Sequence, residues 1–445
     1  MPITIARIGT ALGGAATEFE IARHPDADGP HFLTVRRAGG MTHSYRDLLA
    51  DGGLFETPVQ TKPGGLHLAL AAYDAARALN IHATAGQKLR FEVYETGGFF
   101  DLEADKEFTT DTEPWIVPFG AEAPPPVKFQ LAGPGLVLAP VARAELRPRP
   151  ARAPRPAPAP GPGPGPGGSG TPGNPDPDAP VTAVTGITIS IGPKIGRAIV
   201  GSLTTAGQLR LTLWGFDAGG EIRTQLGKWA EILAGPAQSF FLAKVKEHWS
   251  ANGKFVTAVD IVAALRDSAG KLRLQRWRLT MGTQSMPTAF TKLSEVAAPE
   301  TITSVSCCAV EALGGIQLVT AVRMSNVSSL LKVIAWKMEP GGGMTRLAEA
   351  TAGGISTVYA SSVRGRIFVT ATRESDERFK ANYWRFPGSD TGPIEALGNA
   401  AEGKIDNVVR CIHIPGEGAH VGDTIFAARE QKDSKLRLWR YQVTE

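Results

Sequence analysis

A basic residue four positions before a tryptophan recurs five times in the second half of the chain, and this repeat constrains the fold more than anything else in the sequence. The segments are Leu209-Arg210-Leu211-Thr212-Leu213-Trp214, Leu272-Arg273-Leu274-Gln275-Arg276-Trp277, Leu331-Lys332-Val333-Ile334-Ala335-Trp336, Phe379-Lys380-Ala381-Asn382-Tyr383-Trp384 and Ser434-Lys435-Leu436-Arg437-Leu438-Trp439. Their tryptophans lie 63, 59, 48 and 55 residues apart. A second register precedes the first. Val262-Ala263-Ala264-Leu265-Arg266 parallels Val319-Thr320-Ala321-Val322-Arg323 and Val369-Thr370-Ala371-Thr372-Arg373, and Ile425-Phe426-Ala427-Ala428-Arg429 is a shortened copy. Ile199-Val200-Gly201-Ser202-Leu203 holds the same place in the first unit, without the arginine.

A period near 50 residues with several short strands per unit is the signature of a β-propeller. The five units predict five four-stranded blades over residues 181–445. The sequence reaches Glu445 just after the fifth tryptophan strand, so the fifth outer strand has to come from elsewhere; Val181-Thr182-Ala183-Val184 is the expected donor. Such closure would remove open sheet edges. Five similar units of this length resemble the tachylectin-type five-bladed lectin propellers over roughly residues 181–445. The resemblance rests on repeat number and length and carries over no sugar-contact residue. It implies non-catalytic binding of amino sugars at several equivalent pockets.

Ahead of the repeat, residues 141–180 hold 13 prolines and 7 glycines. A segment of that composition cannot bury enough apolar surface to offset its ordering entropy and reads as a disordered, semi-rigid linker. Residues 1–140 then form a smaller β-rich N-terminal domain of unassigned role. Ile3–Ile8, Phe32–Val35 and Lys88–Tyr94 alternate as strands do. Leu66, Leu70 and Tyr73 recur at helical spacing, so one helix is expected around 65–80, in competition with a strand at 66–70. The expected fold class is therefore mainly β: a C-terminal five-bladed propeller joined by a Pro/Gly-rich linker to a smaller β-rich domain.

The candidate ligand-binding residues are Arg266, Arg323, Arg373, Arg429, Trp277, Trp336 and Trp384. In each tryptophan strand the basic residue and the ring fall on one face, because side chains alternate with period 2. An aromatic platform beside a cation suits a sugar face and its hydroxyls. A tryptophan filling the gap between adjacent blades, with the basic stem along its ring, explains the same pattern and is favoured, and a structural hydrogen-bonding role is likewise favoured for Arg266, Arg323, Arg373 and Arg429. Catalytic signatures are absent: there is no GxSxG, HExxH, Walker loop or CxxC. A five-bladed glycoside hydrolase would need converging carboxylates. Glu247, Asp260, Glu311 and Asp406 are the candidates, and they share no motif. The acidic run Asp101, Glu103, Asp105, Glu107, Asp111, Glu113 lacks a calcium-loop pattern, and His24, His31, His43, His67 and His82 lack zinc-ligand spacing. No cofactor or metal is expected. Cys307, Cys308 and Cys411 are expected to be reduced thiols, the adjacent pair pointing to opposite faces of a strand.

A net charge of +4 over 445 residues does not support nucleic-acid binding, and no apolar run is long enough to insert in a membrane. The start Met1-Pro2-Ile3-Thr4-Ile5-Ala6-Arg7 is unlike a secretory leader, which predicts a cytoplasmic protein or export without a cleaved signal peptide. The expected function is non-catalytic, multivalent, lectin-like glycan binding by the propeller, with the N-terminal domain anchoring or assembling it. The alternatives are a carbohydrate-active enzyme and a protein-interaction scaffold.

Overall fold

The strand Val256-Thr257-Ala258-Val259-Asp260-Ile261-Val262-Ala263-Ala264-Leu265-Arg266 is nearly apolar throughout, which a strand wet on one face would not be. The computed structural model gives the reason: this strand lies between two neighbouring sheets and buries both faces. The structure describes residues 4–15, 18–23, 31–37, 40–46, 57–59, 67–72, 77–83, 89–95, 106–108, 181–189, 195–204, 206–219, 223–251, 256–281, 287–326, 328–413, 424–432 and 435–444. The linker expected at 141–180 and the acidic residues Asp101, Glu103, Asp105, Asp111 and Glu113 lie outside the described residues.

All described elements of regular structure are strands. The first, β1 (Thr4–Ala15), stands apart from its neighbours in sequence. Strands β2 (Glu18–Arg23), β3 (His31–Arg37), β4 (Gly40–Arg46) and β5 (Thr57–Val59) form one antiparallel four-stranded sheet. Strands β6 (His67–Ala72), β7 (Arg77–Ala83), β8 (Leu89–Glu95) and β9 (Lys106–Phe108) form the next. A third contains β10 (Val181–Ile189), β11 (Ile195–Thr204), β12 (Gln208–Gly219) and β13 (Arg223–Pro236). Then follow β14 (Ser239–Trp249), β15 (Val256–Arg266), β16 (Lys271–Met281) and the long β17 (Pro287–Ala312). The chain crosses within β17: its first part completes the fourth sheet and its second part begins the fifth, with β18 (Gly315–Met324), β19 (Leu330–Met338) and β20 (Met344–Arg364). Strand β20 crosses likewise into a sixth sheet with β21 (Ile367–Glu374), β22 (Arg378–Arg385) and β23 (Glu395–His413). The last part of β23 then pairs with β24 (Thr424–Glu430), which pairs with β25 (Lys435–Thr444).

The strand completing that last sheet is β1. It runs antiparallel to β25 from Thr4↔Thr444 to Ala15↔Lys435. The expected donor near Val181–Val184 is instead the first strand of its own sheet, paired with β11. Ladder hydrogen bonds join backbone to backbone, so any extended segment of matching length can supply a missing edge, and composition does not choose between donors. The first strands of successive sheets neighbour one another around a closed cycle: β2, β6, β10, β14, β17, β20, β23 and back to β2. Residues 181–445 thus do not close as a five-bladed ring by themselves. The mainly β class stands, whereas the helix expected around 65–80 is replaced by β6 and β7, paired in register from His67↔Ala83 to Ala72↔Ala78. Small alanines fit either geometry, and a short helix is marginal unless packing supports it.

The core of the described residues consists of layers between sheets. Val259, Ile261, Ala263 and Leu265 of β15 meet Ile199, Leu211 and Leu213 of the preceding sheet. Val262 and Ala264 of the same strand meet Leu318, Val322 and Ile334 of the following one. The same arrangement recurs between the fifth and sixth sheets and between the sixth and seventh.

Candidate functional site

Trp277, Trp336, Trp384 and Trp439 each point back into the layer shared with the preceding sheet. Trp277, Trp336 and Trp384 are all buried, Trp336 to 1% exposure, so none offers a ring face to a ligand from solvent. Burial obliges each indole N–H to find an acceptor. Trp336 Nε1 donates to Thr320 Oγ1 at 2.9 Å and Trp384 Nε1 to Thr370 Oγ1 at 3.0 Å. The threonine of the V-T-A-x-R register thus satisfies the tryptophan of the next strand. Where that threonine is replaced by Ala263, Trp277 donates to Gln275 Oε1 at 3.2 Å. The basic residue of the tryptophan register finds a carboxylate that the sequence motif did not single out. Arg210 pairs with Glu231, Arg273 with Glu295 and Asp267, Lys332 with Glu300 and Glu349, and Lys380 with Glu374.

The four repeat arginines end the second strand of their sheets, beside the turn that leads to the third. The turns at this place in the third to sixth sheets dock on the crossovers that lead to the next sheet. Ala237, Ile302, Ile355 and Ile405 donate their backbone N–H to the carbonyls of Gly207, Gly270, Ser329 and Glu377, at 2.7–2.9 Å. All four acceptors have positive φ, between 46° and 76°, which turns the carbonyl toward the crossover. The arginines therefore share one end of the sheets, here termed the crossover face. Their bonding differs. Arg373 donates from Nε to Ile405 O at 2.7 Å, from Nη1 to Ser356 Oγ at 3.1 Å and from Nη2 to Glu377 Oε1 at 3.0 Å. Arg429 Nε donates to Asp406 Oδ2 at 2.7 Å. Arg323 reaches Ser329 Oγ at 3.0 Å, but its buried Nε has no acceptor, and neither does the buried Nε of Arg266.

The candidate carboxylates are dispersed. Glu247 is held by Lys244 at 2.8 Å, Glu311 is exposed, and Asp406 is bound to Arg429 on the crossover face. Asp260 is fully buried in the fourth sheet. Arg278 donates to both its oxygens at 2.6 and 2.8 Å, Arg276 adds a bond at 2.9 Å, and His248 Nε2 lies 3.3 Å away. Arg276 also donates to Glu339 O at 2.8 Å, tying the fourth sheet to the fifth. Burial pushes the Asp260 carboxyl up, but the hydrogen bonds and charges of Arg278 and Arg276 outweigh it and lower its pKa from 3.8 to about 2. A depressed carboxylate contributes stability above its unfolded pKa and loses it as pH falls through the folded value. The expected loss is about 2 kcal/mol between roughly pH 4 and pH 2. Urea denaturation at pH 5 and pH 2.5 is expected to show a fall larger by that amount in the parent chain than in Asp260→Asn; an equal fall in both would contradict this account.

The cysteines are free and buried. Cys307 faces the layer toward the fourth sheet and Cys308 the layer toward the sixth. Burial raises all three thiols, Cys308 to about 12, so none is a poised nucleophile. Among the described residues no cluster of three histidine, cysteine or acidic side chains is placed to hold a metal ion, and no helix is long and apolar enough to cross a membrane.

A cleft of about 430 Å³ opens at the junction of the fourth and fifth sheets, lined by Pro299, Glu300, Thr301, Met324, Ser325, Asn326 and Lys332. It joins the β17 crossover to the turn after β18. Glu300, with a side chain 4% exposed, accepts from Arg346 at 2.7 Å and from Lys332 at 3.4 Å, both on Oε1. Its buried Oε2 has no partner. Burial raises the Glu300 carboxyl, but Arg346, the backbone N–H of Glu300 itself and, last, Lys332 lower it below its ordinary value, so it stays ionised near neutral pH. Sequence reading passed over Glu300 because it breaks the repeat.

No protein-family model matches the chain, and no curated protein matches it. Among solved structures, it is similar to the WD40 domain of Toxoplasma gondii coronin, at a TM-score of 0.51 and 9% identity over 100% of this chain and 87% of that one. The WD40 domain of SCAP from fission yeast gives 0.44 at 7% identity over 99% and 98%. A triple mutant of AofleA from Arthrobotrys oligospora gives 0.44 at 11% identity over 90% and 93%. The coronin likeness and the strand pairing support a β-propeller fold for this chain, without support for the five blades or the tachylectin likeness expected from its repeat.

Proposed function

We propose that this chain is a seven-bladed propeller that binds a glycan on its crossover face without transforming it. Seven groups of four paired strands among the described residues, with β17, β20 and β23 shared across crossovers, and the closed cycle of their first strands support the blade number. The observation that carries the functional reading is the gathering of Arg266, Arg323, Arg373 and Arg429 at one end of their sheets, with the Nε groups of Arg266 and Arg323 lacking acceptors. Both Nε groups are covered while the residues as a whole are half-buried, and unmatched donors favour a ligand that brings oxygen acceptors. The units do not offer equal sites, since Arg373 and Arg429 are already engaged, so several identical pockets are not expected. The dispersal of Glu247, Asp260, Glu311 and Asp406 speaks against hydrolysis, which needs a facing carboxylate pair.

The test is a glycan array probed with the full chain, followed by incubation of each bound glycan with the protein. Binding without product is expected. Turnover that disappears when one of these four carboxylates is neutralised would replace this reading with the enzyme. A blank array together with capture of a specific protein would replace it with the interaction scaffold.

A further inference from the structure

The crossovers can be aligned on the backbone N–H that each donates to a turn, which makes Ala237, Ile302, Ile355 and Ile405 equivalent. Two residues before them stand Gly235, Glu300, Gly353 and Gly403. One of four equivalent crossovers therefore carries a large acidic side chain where the other three have none. A solvated surface glutamate there would need no explanation, but this one is buried, and one of its oxygens has no hydrogen-bond partner. Leaving a charged acceptor both buried and unmatched is costly, and such a group marks a place where something else supplies the donor.

The chemistry around Glu300 restricts what that donor can be. Glu300 and Glu349 are matched by Lys332 and Arg346, so the group is close to neutral as a whole. A cationic ligand would have to displace two cations already on the carboxylates, and an anionic one would face the Glu300 carboxylate in the lining of the cleft. What remains favourable is a neutral ligand with hydroxyls that both donate and accept. Glu300 Oε2 takes a proton donor. Lys332 bonds Glu300 Oε1 at 3.4 Å and Glu349 Oε1 at 3.1 Å, so its ammonium turns toward a ligand oxygen by giving up the longer of the two bonds. Ser325 and Asn326 line the same cleft and offer donors and acceptors, while Pro299 and Met324 supply apolar wall.

We propose that this cleft is a single saccharide-binding site, taking adjacent hydroxyls of a neutral sugar between the Glu300 carboxylate and the Lys332 ammonium, one ligand per chain. The proposal rests on the glycan-binding reading above and narrows it to one place in the ring. The aligned glycines show that the crossover backbone accommodates a residue without a side chain at this position, which makes Glu300→Gly an informative variant.

The experiment is titration calorimetry on the full chain with glucose, galactose, mannose, fucose and N-acetylglucosamine, with glucosamine and glucuronate as charged comparators. At least one neutral sugar is expected to bind at a stoichiometry of one, more tightly than both charged sugars. Glu300→Gly and Lys332→Met are each expected to weaken it at least tenfold. Glu300→Gln keeps the shape of the side chain and serves where the glycine variant fails to fold; it is expected to weaken binding at least threefold with an unchanged circular dichroism spectrum. Sugar binding undiminished in the Glu300 variants, a stoichiometry above one, or preference for a charged sugar would overturn this site while leaving glycan binding in place. A chain that binds none of the sugars here and none on the array would overturn both.

Discussion

Removal of residues 1–15 is expected to abolish cooperative folding of the chain, although these residues lie more than 400 positions from their partner strand. Strand β1 pairs with β25 from Thr4↔Thr444 to Ala15↔Lys435, and no other described segment occupies that edge. Each lost ladder bond is worth about 1 kcal/mol net, and a run of this length approaches the whole stability of an ordinary domain, about 5–15 kcal/mol. The bare edge of β25 would also present unpaired N–H and C=O groups to other chains. The expected result is loss of the sharp thermal transition together with aggregation, and recovery of both when a peptide of residues 1–17 is added. A truncated chain that melts as the parent does would show that β1 does not hold the ring shut. Joining the first and last segments of the sequence in one sheet also makes folding depend on long-range pairing, which is slow to form.

The second large effect is expected at Trp336. Its ring is 1% exposed, fills the layer between the fourth and fifth sheets, and donates to Thr320 Oγ1. Replacement by alanine leaves a cavity and an unmatched hydroxyl, and is expected to cost about 3–5 kcal/mol, the range for large buried aromatics. Trp249 supplies the control. At 46% exposed, it is the one exposed large apolar side chain among the described residues. Trp249→Ala is expected to change stability by less than about 0.5 kcal/mol. Urea denaturation of the two variants beside the parent chain settles the comparison. Near-equal midpoints would mean that the tryptophan repeat is not packing between sheets and would restore it as a ligand platform.

The sequence carried the repeat, and with it the strand content and the burial of the tryptophans, because both are local consequences of side-chain alternation. Val262-Ala263-Ala264-Leu265 is apolar on consecutive positions since each face meets a different sheet, and that is visible without coordinates. The opposite orientation of Cys307 and Cys308 was legible for the same reason. The repeat also extends further than its tryptophans. Lys88-Leu89-Arg90-Phe91-Glu92-Val93-Tyr94 has the pattern of Lys271-Leu272-Arg273-Leu274-Gln275-Arg276-Trp277 with tyrosine in place of tryptophan. Its strand β8 is the third of its sheet, as β16 is. Phe32-Leu33-Thr34-Val35-Arg36 likewise matches the arginine register and falls in a second strand. A search keyed to tryptophan alone stops at residue 181.

Tertiary structure decided what local pattern does not encode. The partner of β25 is β1, because ladder hydrogen bonding is indifferent to side chains and only the path of the chain brings that edge and that segment together. The acidic partners Glu231, Glu295 and Glu349 lie 17 to 22 residues beyond their cations, one strand away across a hairpin, so no sequence window joins them. Arg266 and Arg373 are the same letter at the same place in the repeat. One has three hydrogen bonds and the other a buried Nε without an acceptor, because the surroundings on the crossover differ. Glu300 illustrates the limit most sharply. In the sequence it is one more glutamate between Pro299 and Thr301, and only the approach of β19 and β20 to the β17 crossover buries its carboxylate, gives one oxygen two cations and leaves the other with none.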